Sequence, residues 1–304
     1  MHGRLFMGRY ETMRLLGEGG MGKVYKARHA FLRRRTAVKV LDGALTDRTA
    51  IARFEREVQV ASSMTQPNTV EIYDYGRTED DVFFFAMEYL PGMTLDALVR
   101  SAGRICPARV LHILRQMLGS LAEAHALGLV HRDIKPANVI LCQRGGLSDF
   151  VKVVDFGLAM DPSFKLAPQI TQTGLIAGTP LYIAPECLDD PTKVSARSDL
   201  YAVGAVAFYL LTGTDLFVAA SPMDIFRCVT SDARPRPSDR VPNGIPSELD
   251  ELVFRCVAKD PAARPESARD VQIAVASIAA NHVWSEEDAD RWWREHQSIH
   301  QRNG

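Results

Sequence analysis

His131-Arg132-Asp133-Ile134-Lys135-Pro136-Ala137-Asn138 is the stretch on which the reading of this chain turns. Upstream of it lie Gly17-Glu18-Gly19-Gly20-Met21-Gly22 and then Ala37-Val38-Lys39-Val40. Downstream lie Asp155-Phe156-Gly157 and Ala184-Pro185-Glu186. Any one of these short segments could arise by chance, but their joint order and spacing do not.

The glycine-rich segment read alone is ambiguous. Glycines let backbone amides approach phosphates where a side chain would obstruct them. Gly17, Gly19 and Gly22 also satisfy a dinucleotide fingerprint, with Asp42 standing about 20 residues beyond the glycines. That alternative needs a helix straight after the glycines, whereas Val24-Tyr25-Lys26-Ala27 reads as a strand. A plain turn is the third reading. Lys39 lies in an apolar strand, where a buried ammonium needs an anionic partner. Glu57 can supply one from a stretch in which Ile51, Phe54, Val58 and Ala61 recur at helical steps.

With these segments in hand, the chain resembles a eukaryotic-type (Hanks-type) protein kinase domain over roughly residues 9 to 276. Gly19-Gly20-Met21-Gly22 with Val24-Tyr25, and Thr171-Gln172-Thr173 ahead of Gly178-Thr179-Pro180, resemble the bacterial Ser/Thr branch. The resemblance implies an α+β, bilobal protein-kinase fold. A small antiparallel N-lobe with one major helix would span about 9–88, a hinge 88–91 and a larger, mainly helical C-lobe 92–276. A helical tail, 277–304, would follow.

The same resemblance implies the roles. Lys39 would hold the α- and β-phosphates of ATP, fixed by Glu57. Asp133 would accept or orient the substrate hydroxyl, and Lys135 would neutralise the transferring γ-phosphoryl. Asn138 and Asp155 would ligate Mg²⁺, a hard cation suited to oxygen donors, with Mn²⁺ as an alternative ion. Leu16, Val24, Ala37 and Ile140 would sandwich adenine. Met87 would be the gatekeeper, and the backbone of Glu88 and Leu90 the hinge. Glu18, Gly20 and Met21 complete the phosphate-covering loop. Lys135 and Thr179 mark a serine/threonine rather than a tyrosine kinase.

Asp199 resembles the acceptor of backbone N–H bonds from the catalytic loop, although its spacing equally permits a plain helix N-cap. Glu186 and Arg264 resemble a buried ion pair. Thr171 and Thr173 are candidate phosphosites, which Arg132 and Arg53 could receive. Met160 departs from the family pattern, where a basic residue often follows Asp-Phe-Gly, and so weakens that docking pocket.

Composition fits this picture. Of 304 residues 46% are hydrophobic and 24% charged, enough apolar material for a core. A net charge of −1 gives no electrostatic reason to expect nucleic acid or an anionic membrane. Arg33-Arg34-Arg35 reads as a solvated turn between strands. Five scattered cysteines without Cys-x-x-Cys spacing indicate neither a zinc site nor a disulfide framework and fit a reducing, cytoplasmic setting. The first ten residues lack a signal-peptide core. The longest apolar run, Leu200 to Leu211, is well short of the roughly 20 residues of a membrane span and reads as a buried helix.

Strand-like runs are expected at Val70–Tyr75 and Val82–Tyr89, and a helix opened by Pro107 carries Val110, Ile113, Leu114, Met117, Leu118 and Leu121 on one stripe. Cys142 to Val151 reads as a hairpin. Ser285 with Asp288 opens a tail helix with Ala289, Trp292, Trp293 and His296 on one face. That face either packs on its own lobe or forms a docking or dimerisation surface. Protein substrates and a transient homodimer for autophosphorylation in trans are the implied partners. The functional alternatives are a pseudokinase scaffold, against which the presence of Lys39, Glu57, Asp133, Asn138 and Asp155 argues, and a dinucleotide-dependent oxidoreductase, which leaves the two Asp-bearing motifs without a role.

Overall fold

The computed structural model describes residues 5–6, 8–19, 22–41, 48–78, 82–156, 181–219, 221–231 and 233–296. Backbone contacts divide them into two compact units: residues up to 65 with 69–90, and residues 66–68 with 91 onward.

The first unit is a six-stranded antiparallel sheet: β1 (Leu5–Phe6), β2 (Tyr10–Gly19), β3 (Gly22–His29), β4 (Arg35–Leu41), β5 (Ile72–Arg77) and β6 (Phe83–Glu88), in the order β1-β2-β3-β4-β6-β5. Its single described helix is α1 (Arg48–Ser62). β4 lies between β3 and β6 and is buried from Thr36 to Leu41, as a central strand covered on both faces should be. Period-two alternation sends Val38 and Val40 to a core with Phe6, Tyr10, Tyr25, Ala27, Phe84 and Ala86. Ala37 and Lys39 therefore point to the opposite face.

The stripe expected on α1 is real, with Phe54, Val58 and Ala61 buried and the Phe54 ring edge-on to Phe83. Strands β5 and β6 differ from the expected bounds by one or two residues. A bulge between Ile72 and Asp74 displaces the pairing at the start of β5. The basic segment is a turn, closed by bonds between His29 and both Arg33 and Arg34, with Arg33 at φ 57°.

The second unit is mainly helical. It contains α2 (Leu95–Ala102), α3 (Pro107–Ala126), α4 (Pro185–Asp189), α5 (Ala196–Thr212), α6 (Pro222–Thr230), α7 (Pro237–Arg240), α8 (Ser247–Cys256), α9 (Ala268–Ala279) and α10 (Glu286–Glu295). A small sheet, β7 (Gly92–Thr94), β8 (Val139–Arg144) and β9 (Leu147–Val153), runs in the order β7-β8-β9. α3 opens with Pro107 and buries the predicted stripe. α5 is buried nearly all round, as its apolar run requires, and Gly213 in the left-handed region ends it. β8 and β9 join across Gly145 (φ 58°) and Gly146 (φ 84°), the backbone pattern of a tight hairpin turn. Among the described residues no helix is long and apolar enough to cross a membrane.

Candidate active site

The loop from His131 to Asn138 lies in the second unit, between α3 and β8, and is held from beneath by α5. Asp199 accepts the backbone N–H groups of His131 (2.8 Å) and Arg132 (2.9 Å) and a third bond from His125 Nε2 (2.8 Å). α5 begins at Ala196 with Ser195 at its cap position, so Asp199 lies a turn inside the helix and is not the N-cap. Its bonds to the loop are the family-type role.

These contacts hold Arg132 at φ 68°, a left-handed backbone costing roughly 1–2 kcal/mol outside glycine. His131, fully buried, accepts at Nδ1 from the Asp133 amide (3.3 Å) and donates from Nε2 to the Val154 carbonyl (3.0 Å). One nitrogen accepts and the other donates, so the ring is neutral. Burial depresses its basicity in the same sense. The Phe156 ring lies against it, 4.5 Å between centroids.

Asp133 is therefore anchored through its backbone, and its carboxylate is oriented by two donors. Lys135 Nζ reaches both oxygens (2.9 and 2.8 Å), and Asn138 Nδ2 reaches Oδ2 (2.8 Å) and the Asp133 carbonyl (2.8 Å). With its amide nitrogen so engaged, Asn138 has the Oδ1 oxygen left to offer a cation. Asn138 also accepts the Val154 N–H at its carbonyl (2.9 Å), which ties the loop to the residue before Asp155. Asp155 is itself left-handed, at φ 59°. Two oxygen-bearing side chains thus come from adjacent, mutually bonded segments, a donor set that fits a hard divalent cation.

Glu186 and Arg264 form the predicted pair, with two bonds of 2.7 Å. Arg264 also donates to the carbonyls of Ala258, Arg197 and Lys259, so all five of its N–H donors are matched. Ser198 Oγ adds a bond to Glu186 (3.1 Å).

In the first unit the register places Val24 opposite Lys39, Ala37 opposite Met87 and Lys39 opposite Phe85, which puts these residues on one face of the sheet. Lys39 is 5% exposed. Glu57 is half-buried on α1. Glu88 donates its N–H to the Glu71 carbonyl, and Leu90 follows the sheet. Leu16 is on β2, and Gly17 pairs with Val24. The glycines lead into a strand, so the helix a dinucleotide fingerprint requires is not there. A Cβ built on Gly17 or Gly19 meets nothing within 4 Å, so packing against the protein does not demand glycine at either position. Ile140 lies on β8 in the second unit. Gly20, Met21, Asp42, Gly157, Met160, Thr171, Thr173 and Thr179, and the Arg53 side chain, lie outside the described residues.

Three features were not anticipated. His125, the third partner of Asp199, is a polar residue in the last turn of a helix whose apolar stripe already faces inward, which is the signal that could have flagged it. Tyr182 donates to Asp215 (2.8 Å), and burial raises the pKa of both groups. The third is a buried cluster around Asp149, described below.

A six-stranded antiparallel unit followed by a helical unit carrying this loop defines the protein-kinase fold. A crystal structure of the Mycobacterium tuberculosis PknI kinase domain is similar, with a TM-score of 0.69 and 29% identity, covering 92% of this chain and 99% of that one. The sequence matches the protein kinase domain family over residues 10–284, and the chain belongs to that family. Serine/threonine-protein kinase pkn3 of Myxococcus xanthus is 38% identical over 269 residues, 88% of this chain and 49% of that protein. PknD of M. tuberculosis is 38% identical over 268 residues, 88% and 39% of the respective lengths. PrkC of Bacillus subtilis is 38% identical over 272 residues, 89% and 40%. The chain thus spans half or less of the length of these relatives. Membership of the family implies the use of ATP and a divalent metal ion.

Proposed function

We propose that this chain is a serine/threonine protein kinase that transfers the γ-phosphoryl group of ATP to protein hydroxyls, with Mg²⁺ as the working ion. The observation that carries the reading is Asp133. Its carboxylate is held by Lys135 and Asn138, on a loop fixed by Asp199. Catalysis of this kind is chiefly positioning and electrostatics.

Asp133 orients the substrate hydroxyl and receives its proton as the oxygen attacks phosphorus. Lys135, bonded to Asp133 in this structure, shares its charge with the transferring group. Asn138 Oδ1 and the Asp155 carboxylate would hold the ion, whose chemistry is to neutralise charge on the phosphate oxygens. On the other unit, Lys39 with Glu57 holds the α- and β-phosphates. Gly17 and Gly19 lie beside open space that a phosphate can approach. Leu16, Val24, Ala37 and Ile140 take the adenine, Met87 limits the pocket's depth, and the backbone of Glu88 and Leu90 reads the base edge. The N-lobe, hinge and C-lobe are assigned to 9–88, 88–91 and 92–276. Autophosphorylation on Thr171 or Thr173 is the assigned switch, with Arg132 as a cation to receive the phosphate.

The test is incubation of the purified chain with labelled ATP, Mg²⁺ and a basic protein substrate, beside Lys39→Met and Asp133→Asn, with sites mapped by mass spectrometry. Wild type should label serine or threonine, and Asp133→Asn should lose about 10²–10⁴ in rate, the usual worth of a positioned general base. A folded, nucleotide-binding wild type that labels nothing would overturn the reading.

A further inference from the structure

β9 is an edge strand of the β7-β8-β9 sheet, and it runs directly into Asp155. Its outward backbone groups have no neighbouring strand among the described residues, yet they are bonded. Gln116 Nε2 donates to the Asp149 carbonyl (3.0 Å), and the Val151 N–H donates to Gln116 Oε1 (3.0 Å). Asn68 Nδ2 reaches both Gln116 Oε1 (2.9 Å) and the Val151 carbonyl (2.8 Å). The Val153 N–H donates to the Asn68 carbonyl (2.8 Å), and the Val154 N–H to Asn138. Residues 149, 151 and 153 are thus clamped in succession up to the residue preceding Asp155.

The far end of this chain of bonds is the fully buried Asp149. Its Oδ1 accepts from Arg109 Nη2 (2.8 Å) and Trp293 Nε1 (2.8 Å), and its Oδ2 from Arg109 Nε (2.8 Å) and Trp284 Nε1 (2.8 Å). The Arg109 guanidinium lies 4.0 Å from the Trp292 ring centre and 5.2 Å from that of Trp284. Ser148 Oγ donates to Asp290 on α10 (2.6 Å). Asp149 also has φ 55°. A helix that merely covered apolar surface would require neither a buried ion pair nor a left-handed aspartate, both of which cost stability. What the arrangement does secure is one path for β9, because a carboxylate with four directed donors has little freedom to shift.

We propose that Asp149 is a positioning residue for phosphoryl transfer: Trp284 and α10, acting with Arg109 through Asp149, fix the strand that delivers Asp155. This rests on the kinase reading and adds to it that the segment 284–295 is part of the catalytic machinery's support. Of the tail face, Ala289 and Trp293 are buried against their own unit, while Trp292 and His296 are half-buried.

The test uses the whole chain and the double variant Trp284→Phe/Trp293→Phe, which keeps aromatic rings while removing both indole donors. Amide hydrogen exchange of peptides covering 147–156, without nucleotide or metal, is measured alongside kcat and KM for a peptide substrate. The expected result is about tenfold faster exchange at 151–154 and kcat lowered about tenfold, equivalent to about 1.4 kcal/mol, with peptide KM changed less than about twofold. Gln116→Met, which interrupts the same chain of bonds without touching the tail, should reproduce both effects. If the double variant does not fold, Trp293→Phe alone carries the measurement. Unchanged exchange, or faster exchange with kcat intact, would overturn the proposal. Failure of the kinase reading is distinguishable, because there wild type and Asp133→Asn would be equally inactive whatever the exchange shows.

Discussion

Arg264 shows how a single charged residue can be buried without being left in need. Its guanidinium has two bonds to Glu186 and three to backbone carbonyls, and its side chain is inaccessible to solvent. The pair's net worth is modest, because desolvating two ions offsets most of their attraction, but removing one partner leaves the other buried and uncompensated. Glu186→Gln should therefore destabilise the chain by about 3–5 kcal/mol, read from the denaturant midpoint. Arg264→Lys should also be poorly tolerated, since an ammonium cannot match five acceptors arranged around a planar fork. A Glu186→Gln midpoint equal to wild type would show that Arg264 is not held chiefly by that carboxylate.

At the scale of elements, α5 carries Asp199 beneath the loop from His131 to Asn138 and packs along α8. At Gly204, α5 lies close against the C-terminal end of α8. A Cβ added there lies 2.6 Å from the Cys256 Cβ, 2.8 Å from Val257 Cγ1 and 3.2 Å from the Val257 nitrogen. In a solvent-exposed helix Gly→Ala would stabilise by about 1 kcal/mol, but here overpacking of about 1–3 kcal/mol opposes it. Gly204→Ala should lower the melting temperature, and a raised one would show that α8 yields freely.

The elements whose signal is local were legible from the sequence. The stripe of α3, the stripe of α1, the Gly145-Gly146 hairpin and the strand after the glycines all follow from periodicity or turn chemistry. The ordered motifs likewise located Asp133, Lys135, Asn138 and Asp155 on segments that the fold brings together. The cluster around Asp149 was not legible. Its partners lie 40, 135 and 144 residues away in sequence, and nothing in the pattern of β9 marks a buried acid as different from a hairpin's solvated one. The role of Asp199 was legible only as one of two options, because distinguishing an N-cap from a residue one turn further in depends on where the helix starts.

At the scale of the whole molecule, acid stability depends on buried imidazoles. His131 and His112 are both held below the ordinary histidine value by burial, against the opposing pull of nearby carboxylates: Asp199, Asp133 and Asp155 for the former, Asp149 for the latter. Each therefore binds a proton more readily in the unfolded chain than in the folded one. Stability from these groups is fully present above about pH 6.5, the unfolded value, and is lost as pH falls below it toward the depressed folded values. The slope is up to about 1.4 kcal/mol per pH unit for each group. Asp215 acts in the other direction. Burial raises its pKa, so the folded state binds its proton more readily and gains stability on acidification. Unfolding midpoints measured at pH 7.5, 6.5 and 5.5 should fall across the lower step, and Asp215 opposes that fall only as pH nears its own raised value. A midpoint that stays level from pH 7.5 to 5.5 would mean that neither imidazole is held below its unfolded value, so that His131 takes up a proton in the fold as readily as in the unfolded chain. On protonation the Asp133 N–H would then lose its acceptor at Nδ1, and the anchoring of Asp133 through its own backbone would have to be abandoned.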